Sequence, residues 1–346
     1  MKKYKKIHII TGGAGFIGSN YLKYVTKKYK YDFFIVVDKL TYAGNLKNIE
    51  NELELDNVFF AYGDICDKQF IEKIFEIADI DYVVNFAAES HVDRSINDST
   101  PFIQTNIVGT QTLLDICKKH WYDNGKWKRG KKYLQISTDE VYGALDIDYN
   151  NGKINENGHK IYGDKLFSET DNINPHSPYS ASKASADMLV KSYFDTYKMP
   201  INITRCSNNY GPNQHTEKLI PLTLTNIMND INIPVYGKGK NIRDWIYVED
   251  HCIAIDTVLR KGKIGEIYNI GGNNEKYNID LVKELLNIYN TTHTSKSKSE
   301  IEFVADRLGH DLRYAIDSSK IKNELNWEPK TSFDKGIKKT MKYYEN

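Results

Sequence analysis

A chain of 346 residues can bury one large core or two modest ones, and 40% hydrophobic with 27% charged residues is the balance of an ordinary globular protein. With 47 Lys plus Arg against 46 Asp plus Glu, the formal charge of +1 argues against a nucleic-acid binder that works by counterion release. The scattered Cys66, Cys117, Cys206 and Cys252 have no metal-ligand spacing. The basic start is followed only by Ile7–Ile10 before glycines, so no metal, no membrane anchor and a reduced, cytoplasmic setting are expected.

Strand-like and helix-like stretches alternate along the first two-thirds. The apolar run Ile7–Thr11 is a buried strand, and Phe16–Lys28 is the helix that follows it. Between them, Gly13, Gly15 and Gly18 fit G-x-G-x-x-G, while Gly12, Gly15 and Gly18 fit a three-residue spacing. Glycines suit a tight turn where a pyrophosphate must approach both backbone and helix N-terminus. The second strand, Phe33–Asp38, ends on a carboxylate placed to accept hydrogen bonds from ribose hydroxyls. It would repel a 2′-phosphate, which favours NAD over NADP, although Lys39 beside it weakens that preference.

Next come a strand at Asn57–Tyr62, then Asp64, which could meet an adenine amine or simply end a turn, and a helix at Lys68–Ala78. A strand at Tyr82–Ala87 and a helix at Pro101–His120 continue the alternation. The strand at Tyr133–Ser137 leads into Thr138, Asp139 and Glu140 at its carboxyl end, where open α/β sheets bind ligands. Two carboxyls in one crevice are pushed to different pKa values, so one can serve as an acid and the other as a base. The stretch Leu145–Asp171, rich in Asn, Gly and Lys, reads as a long surface excursion.

Tyr179 and Lys183 stand four apart at the start of the helix Tyr179–Lys198, on one face. A phenol is a poor base at neutral pH. A neighbouring ammonium and a nicotinamide cation both favour the phenolate, which could then take an alcohol proton as hydride leaves. The strand Ile201–Arg205 follows; beyond Asn208 the pattern loosens into short strands and turns, and Thr291–Glu300 is a polar loop. The β-α-β alternation predicts an α/β protein: a Rossmann-type, doubly wound parallel sheet with a smaller C-terminal α/β substrate lobe. Residues 1–207 and about 244–271 make the NAD-binding domain, and about 208–243 with 272–346 make the lobe.

The segments TGGAGFIGSN, DKLTYAGNL, NFAAESHVDRSI, TNIVGT, ISTDEVYG, SPYSASKASAD, TRCSNNYGP, EKLIPL, RDWIYVEDH, YNIGGNNEK and DRLGHD run nearly end to end. Together they resemble the dTDP-glucose 4,6-dehydratases, a branch of the extended short-chain dehydrogenase/reductase family. The glycine cradle and the Tyr-Lys pair mark only the superfamily; the Thr-Asp-Glu and Ala-Ala-Glu-Ser-His-Val-Asp-Arg-Ser segments are narrower signals. The resemblance implies a tightly held NAD and a three-stage reaction. Tyr179 takes the 4-hydroxyl proton with Lys183 tuning it, Glu140 takes the C5 proton, Asp139 protonates the departing C6 hydroxyl, and hydride returns to C6.

It also implies that Gly12, Gly15, Phe16, Ile17, Gly18, Asp38, Lys39, Leu40, Thr41, Asp64, Ile65, Ala87, Ala88, Glu89, Ser90, Thr105, Tyr179, Lys183 and Asn209 face the cofactor. Ser90, Thr138, Asn208, Lys218, Leu219, Pro234, Val235, Tyr236, Arg243, Asn278, Asp306, Arg307 and His310 would face the nucleotide sugar. Arg243 is the natural diphosphate partner, with a surface ion pair to Asp244 or Glu249 as the alternative. Tyr236 either stacks on the pyrimidine or packs in a core. Leu308 replaces a proline common among relatives. A homodimer packed through the Pro101–His120 and Tyr179–Lys198 helices and a place in deoxysugar synthesis, such as that of rhamnose, are further implications. Alternatives are a UDP-glucose 4,6-dehydratase, a nucleotide-sugar epimerase or decarboxylase, and a non-catalytic NAD-binding scaffold.

Overall fold

Runs such as Phe33–Val37 can be buried along their whole length only where helices cover both faces of a sheet. The computed structural model, which describes residues 4–148, 152–155 and 158–345, has that arrangement. Leaving two short hairpins aside, the strands begin with β1 (Ile7–Thr11), β2 (Phe33–Asp38), β3 (Val58–Tyr62), β4 (Tyr82–Asn85), β5 (Lys132–Thr138) and β6 (Ile201–Cys206). They continue with β7 (Asn208–Tyr210), β8 (Ile233–Tyr236), β9 (Ile242–Tyr247), β10 (Ile267–Ile270), β11 (Glu275–Tyr277) and β12 (Ile301–Val304). The longer helices are α1 (Phe16–Lys28), α2 (Lys68–Ile77), α3 (Thr110–Trp121), α4 (Pro178–Tyr197), α5 (Leu219–Met228), α6 (Val248–Lys261), α7 (Asn278–Thr292) and α8 (Phe333–Tyr344).

Seven strands form one parallel sheet in the order β10-β6-β5-β4-β1-β2-β3. Successive side chains alternate between its faces. Ile10, Val36, Val84 and Leu134 pack under Leu22 and Val25 of α1 and Ile255 and Val258 of α6. Ile9, Ile35, Val37 and Val83 pack under Ile71 of α2, Leu113 of α3 and Val190 of α4. The order reverses between β1 and β4, so their carboxyl ends open a crevice there.

The smaller lobe is built from β7, β9 and β11 in one sheet and β8 with β12 in another, around Leu224, Trp245, Leu281 and Ile337. Residues 244–247 complete β9 in this lobe, whereas Ile321 and Trp327 pack into the core beneath α1 and α6. The chain thus crosses between lobes more often than the expected segment boundaries imply.

Two further expectations need correction. The helix anticipated at Pro101–His120 is a short α-helical start, a π-helical stretch at Ile103–Gly109 and then α3. Its Asn106 accepts from Glu89 N at 2.9 Å and donates to Glu89 O at 3.0 Å and to Ser182 Oγ at 2.8 Å, a contact with other elements that sequence periodicity does not reveal. The Leu145–Asp171 excursion is not simply superficial, because Leu145, Tyr162 and Phe167 are buried. Its backbone is stitched to residues 313–317 through Leu145 N to Arg313 O and Phe167 N to Ala315 O. Among the described residues, no helix is long and apolar enough to cross a membrane.

Candidate active site

The turn after β1 is shaped by close backbone approach. Gly12 has φ +64°, and a Cβ on it would lie 2.7 Å from Ala87 N; one on Gly18 would lie 2.3 Å from Gly12 O. At Gly15, the N-cap of α1, a Cβ would meet only Gly12 O within 4 Å, so the residue borders open space. The free N–H groups of the first turn of α1 therefore face a cradle that a side chain would fill and that suits a pyrophosphate.

At the end of β2, the Asp38 carboxylate accepts from Ala14 N at 3.0 Å and Leu40 N at 2.8 Å. Burial raises its pKa, and those two amides with Lys39 oppose the rise. Lys39 turns instead to Asp64 at 3.3 Å and Thr105 Oγ1 at 3.1 Å, which leaves Asp38 as the charge at the strand end. Asp64 is held by Lys39 and by Cys66 N and does not line the crevice, although Gly63 and Ile65 on either side of it do. Leu40, at φ +51°, packs against the core instead.

The crevice is continuous from this cradle to the end of β5. Of the anticipated residues, Gly12, Gly15, Phe16, Ile17, Gly18, Asp38, Lys39, Thr41, Ile65, Ala87, Ala88, Glu89, Ser90, Thr105, Asn208, Asn209 and Lys218 line it, together with Thr138, Asp139, Glu140, Tyr179 and Lys183. Gly44, Phe86, Cys206, Ser207, Gln214, His215 and Glu217 line it as well and were not singled out from sequence. Gly44, Phe86, Cys206, Ser207 and Glu217 lie inside the quoted segments, whereas Gln214 and His215 fall between two of them and are joined to the site by the tertiary fold.

Tyr179 reaches the crevice because α4 starts sharply: Ser177 and Ser180 form a reciprocal cap and Pro178 occupies the first turn. Lys183 Nζ donates to Ile136 O at 2.6 Å. Asp139 is 2% exposed, and its Oδ2 has no hydrogen-bond partner. Burial pushes its carboxyl well above the usual range, with Glu140 and Asp244 adding repulsion. Glu140 is also raised by burial, but Arg243, Lys218 and Arg307 pull the other way. The two neighbouring carboxyls therefore differ in electrostatic setting.

The Tyr179 phenol sits among groups that oppose its ionisation. Burial, then Glu140, Cys206 and Asp139, push it well above its ordinary value, and the Thr138 hydroxyl opposes them only weakly. Lys183 is itself lowered by burial. The chain's own groups thus keep the phenol protonated, and the low-pKa phenolate anticipated from the Tyr-Lys spacing does not follow from these groups alone.

On the lobe side, Lys218 Nζ donates to Ser90 O at 3.0 Å and ties the two halves together. Leu219, Pro234, Val235, Tyr236, Arg243, Asn278, Asp306, Arg307 and His310 do not line the crevice. Several of them nonetheless cluster: Arg307 lies 5.3 Å from the Tyr236 ring and pairs with Asp93 at 2.6 Å, and His310 meets Tyr236 edge-on. Val235 is a core residue, whereas Tyr236 is 42% exposed rather than packed in a core. Arg243 is held by the carbonyls of Ile242 (2.7 Å) and Asp311 (2.9 Å) and lies over Tyr314. Neither suggested surface ion pair forms, since Asp244 accepts from Gly272 N and Asn274 N and Glu249 pairs with Lys339.

A reversed parallel sheet, a glycine cradle at its switch point and a Tyr-Lys pair beside it define an extended short-chain dehydrogenase/reductase. Residues 9–340 match the family model described as GDP-mannose 4,6 dehydratase. A dTDP-glucose 4,6-dehydratase of Salmonella typhimurium is 47% identical over 97% of this chain and 92% of its own length. The solved structure of dTDP-glucose 4,6-dehydratase from Bacillus anthracis in complex with NAD is 44% identical, with a TM-score of 0.84 over 98% of this chain and 96% of that one. The Streptomyces venezuelae enzyme of the same name, also with NAD bound, is 40% identical, with a TM-score of 0.85 over 98% and 97%. The chain belongs to the dTDP-glucose 4,6-dehydratase family.

Proposed function

We propose that this protein dehydrates dTDP-glucose to dTDP-4-keto-6-deoxyglucose and is thus a carbon–oxygen lyase that uses NAD without consuming it. When bound, NAD supplies a reversible hydride acceptor, taking hydride from C4 and returning it to C6. The glycine cradle and Asp38 would hold it, with Lys39, Thr41, Ile65, Ala87 to Ser90, Thr105 and Asn209 around it. With the cation of a bound nicotinamide added to the site, the Tyr179 phenolate would take the proton of the sugar 4-hydroxyl, while Thr138 orients that oxygen and Lys183, one turn along α4, contributes its charge. The ketone at C4 acidifies C5, whose proton passes to Glu140. Asp139 gives its proton to the C6 hydroxyl and water leaves; as hydride returns to C6, Glu140 gives its proton back to C5.

The observation that carries this reading is the inequality of the carboxyls: Asp139 buried without a partner at Oδ2, Glu140 beside it facing Arg243, Lys218 and Arg307. That pairing suits an acid next to a base, and a simple C4 epimerase has no need of it. The cluster of Tyr236, Arg307 and His310 supports a nucleotide-diphosphate end on the lobe side. Arg243 would act there by its field rather than by a free guanidinium fork.

We also infer a cytoplasmic homodimer joined through the 100–121 segment and α4. Four unpaired cysteines favour the reduced compartment, and Ile103 (51%) and Met188 (56%) are exposed apolar residues on those elements. The decisive experiment incubates the protein separately with dTDP-glucose and UDP-glucose. Conversion of dTDP-glucose to a 4-keto product that absorbs in alkali supports the proposal. Conversion to the galactose nucleotide overturns it, and preferential turnover of UDP-glucose moves the substrate to the uridine nucleotide.

A further inference from the structure

Three stretches distant in sequence meet beside residues that line the crevice, and the chemistry above uses none of them. Tyr42 lies just after β2, Arg94 lies on the short helix Val92–Asn97, and His215 lies between β7 and α5. The Arg94 guanidinium stands 3.6 Å from the Tyr42 ring centroid. His215 meets the same ring edge-on at 5.5 Å. The Tyr42 hydroxyl is buried toward Ser90, and its ring carries the contacts to Arg94 and His215.

The strand-to-helix segment that carries His215 is fastened across the crevice at both ends. Asn213 Nδ2 donates to Ser19 Oγ, and Asn20 Nδ2 donates to Pro212 O, each at 2.9 Å. At the other end, Lys218 reaches Ser90 O at 3.0 Å and His91 meets Glu217 at 3.4 Å. Thr41, Ala43 and Gly44 on one side of the Tyr42 contact and His215 and Glu217 on the other all line the crevice. The ring therefore joins segments that line opposite banks of the crevice.

The geometry points to Tyr42, Arg94 and His215 as a clasp that retains the dinucleotide between turnovers, an inference that rests on the NAD-dependent reading above. That reaction has a use for it. Hydride taken from a sugar returns to the same sugar, so the cofactor never needs to leave, unlike one that must be exchanged after each oxidation. An exposed guanidinium stacked on a ring contributes modestly, and the ring itself closes the gap, so removing the ring matters more than removing the cation.

The test purifies wild type, Tyr42→Ala, Tyr42→Phe and Arg94→Gln without added cofactor. NAD per chain is measured by chromatography after denaturation, and its release is followed on dilution into an NAD-degrading trap. Wild type and Tyr42→Phe keep their NAD. Tyr42→Ala releases it about tenfold faster, equivalent to about 1.4 kcal/mol, Arg94→Gln releases it about threefold faster, and added NAD restores turnover to both. Equal retention by wild type, Tyr42→Ala and Arg94→Gln overturns the clasp, as does a wild type that sheds NAD as fast as they do. Arg94 is exposed, so Arg94→Gln decides the matter even where Tyr42→Ala does not fold. A wild type that holds NAD yet leaves dTDP-glucose unchanged refutes the functional reading, while the retention data still judge the clasp.

Discussion

Replacing Asp139 by Asn separates catalysis from stability. The side chain is 2% exposed, and its pKa is raised by burial first and by Glu140 and Asp244 next. Below its unfolded pKa of about 4 both states are protonated and there is no penalty. As pH rises, the unfolded chain ionises while the folded one does not, so stability falls by about 1.4 kcal/mol per pH unit until the folded pKa is reached. At neutral pH wild type bears that cost and Asp139→Asn, uncharged and of the same shape, does not. One unit of elevation alone is worth about 2 °C in Tm for a chain of this class. The variant is thus expected to melt at or above wild type at pH 7, with the two converging near pH 4. Elimination, deprived of its acid, slows by about 10²- to 10⁴-fold. In a single-turnover experiment with dTDP-glucose, reduced nicotinamide then accumulates instead of passing quickly. A variant that melts lower than wild type and shows no accumulation refutes both the protonation state and the role.

Other substitutions address other parts of the fold. Tyr179→Phe removes the proton acceptor for C4 oxidation; turnover falls by about 10²- to 10⁴-fold with no reduced nicotinamide in the same single-turnover traces, the opposite signature to Asp139→Asn. Gly12→Ala forces a Cβ to within 2.7 Å of Ala87 N at φ +64°, so a loss of at least about 1 kcal/mol in denaturant unfolding and a lower NAD content are expected. Arg313 is fully buried and grips Glu275 at 2.7 and 2.9 Å; Arg313→Met strands that carboxylate and costs about 3–5 kcal/mol by chemical denaturation, and adding Glu275→Gln restores part of it.

What could be read in advance was whatever the local backbone imposes. β1, β2, the cradle glycines and the Tyr179–Lys183 pair each depend on residues within one turn or strand, and hydrophobic periodicity exposes them. Asn106 was invisible as a clamp because its partners, Glu89 and Ser182, come from other elements. β10 is only four residues long; residues 267–270 fall in a segment assigned to the NAD-binding domain, but nothing nearby marks them as the outer strand of the main sheet. Arg243 looked like a free anion receptor because its carbonyl partners at Asp311 and Leu312 lie far along the chain. The surroundings of Tyr179 were hidden for a related reason: spacing places an ammonium one turn away but shows neither the depth of burial nor the two carboxyls whose charges reach the phenol.

The late return of β10 bears on how the chain is made. β6 pairs with β5 on one side, but its other edge stays bare until residues 267–270 arrive. At about 5–20 residues per second on a ribosome, the roughly sixty intervening residues take about 3–12 s to emerge. Throughout that interval the nascent protein presents an open strand flank, and any holding factor that masks such flanks would meet it there.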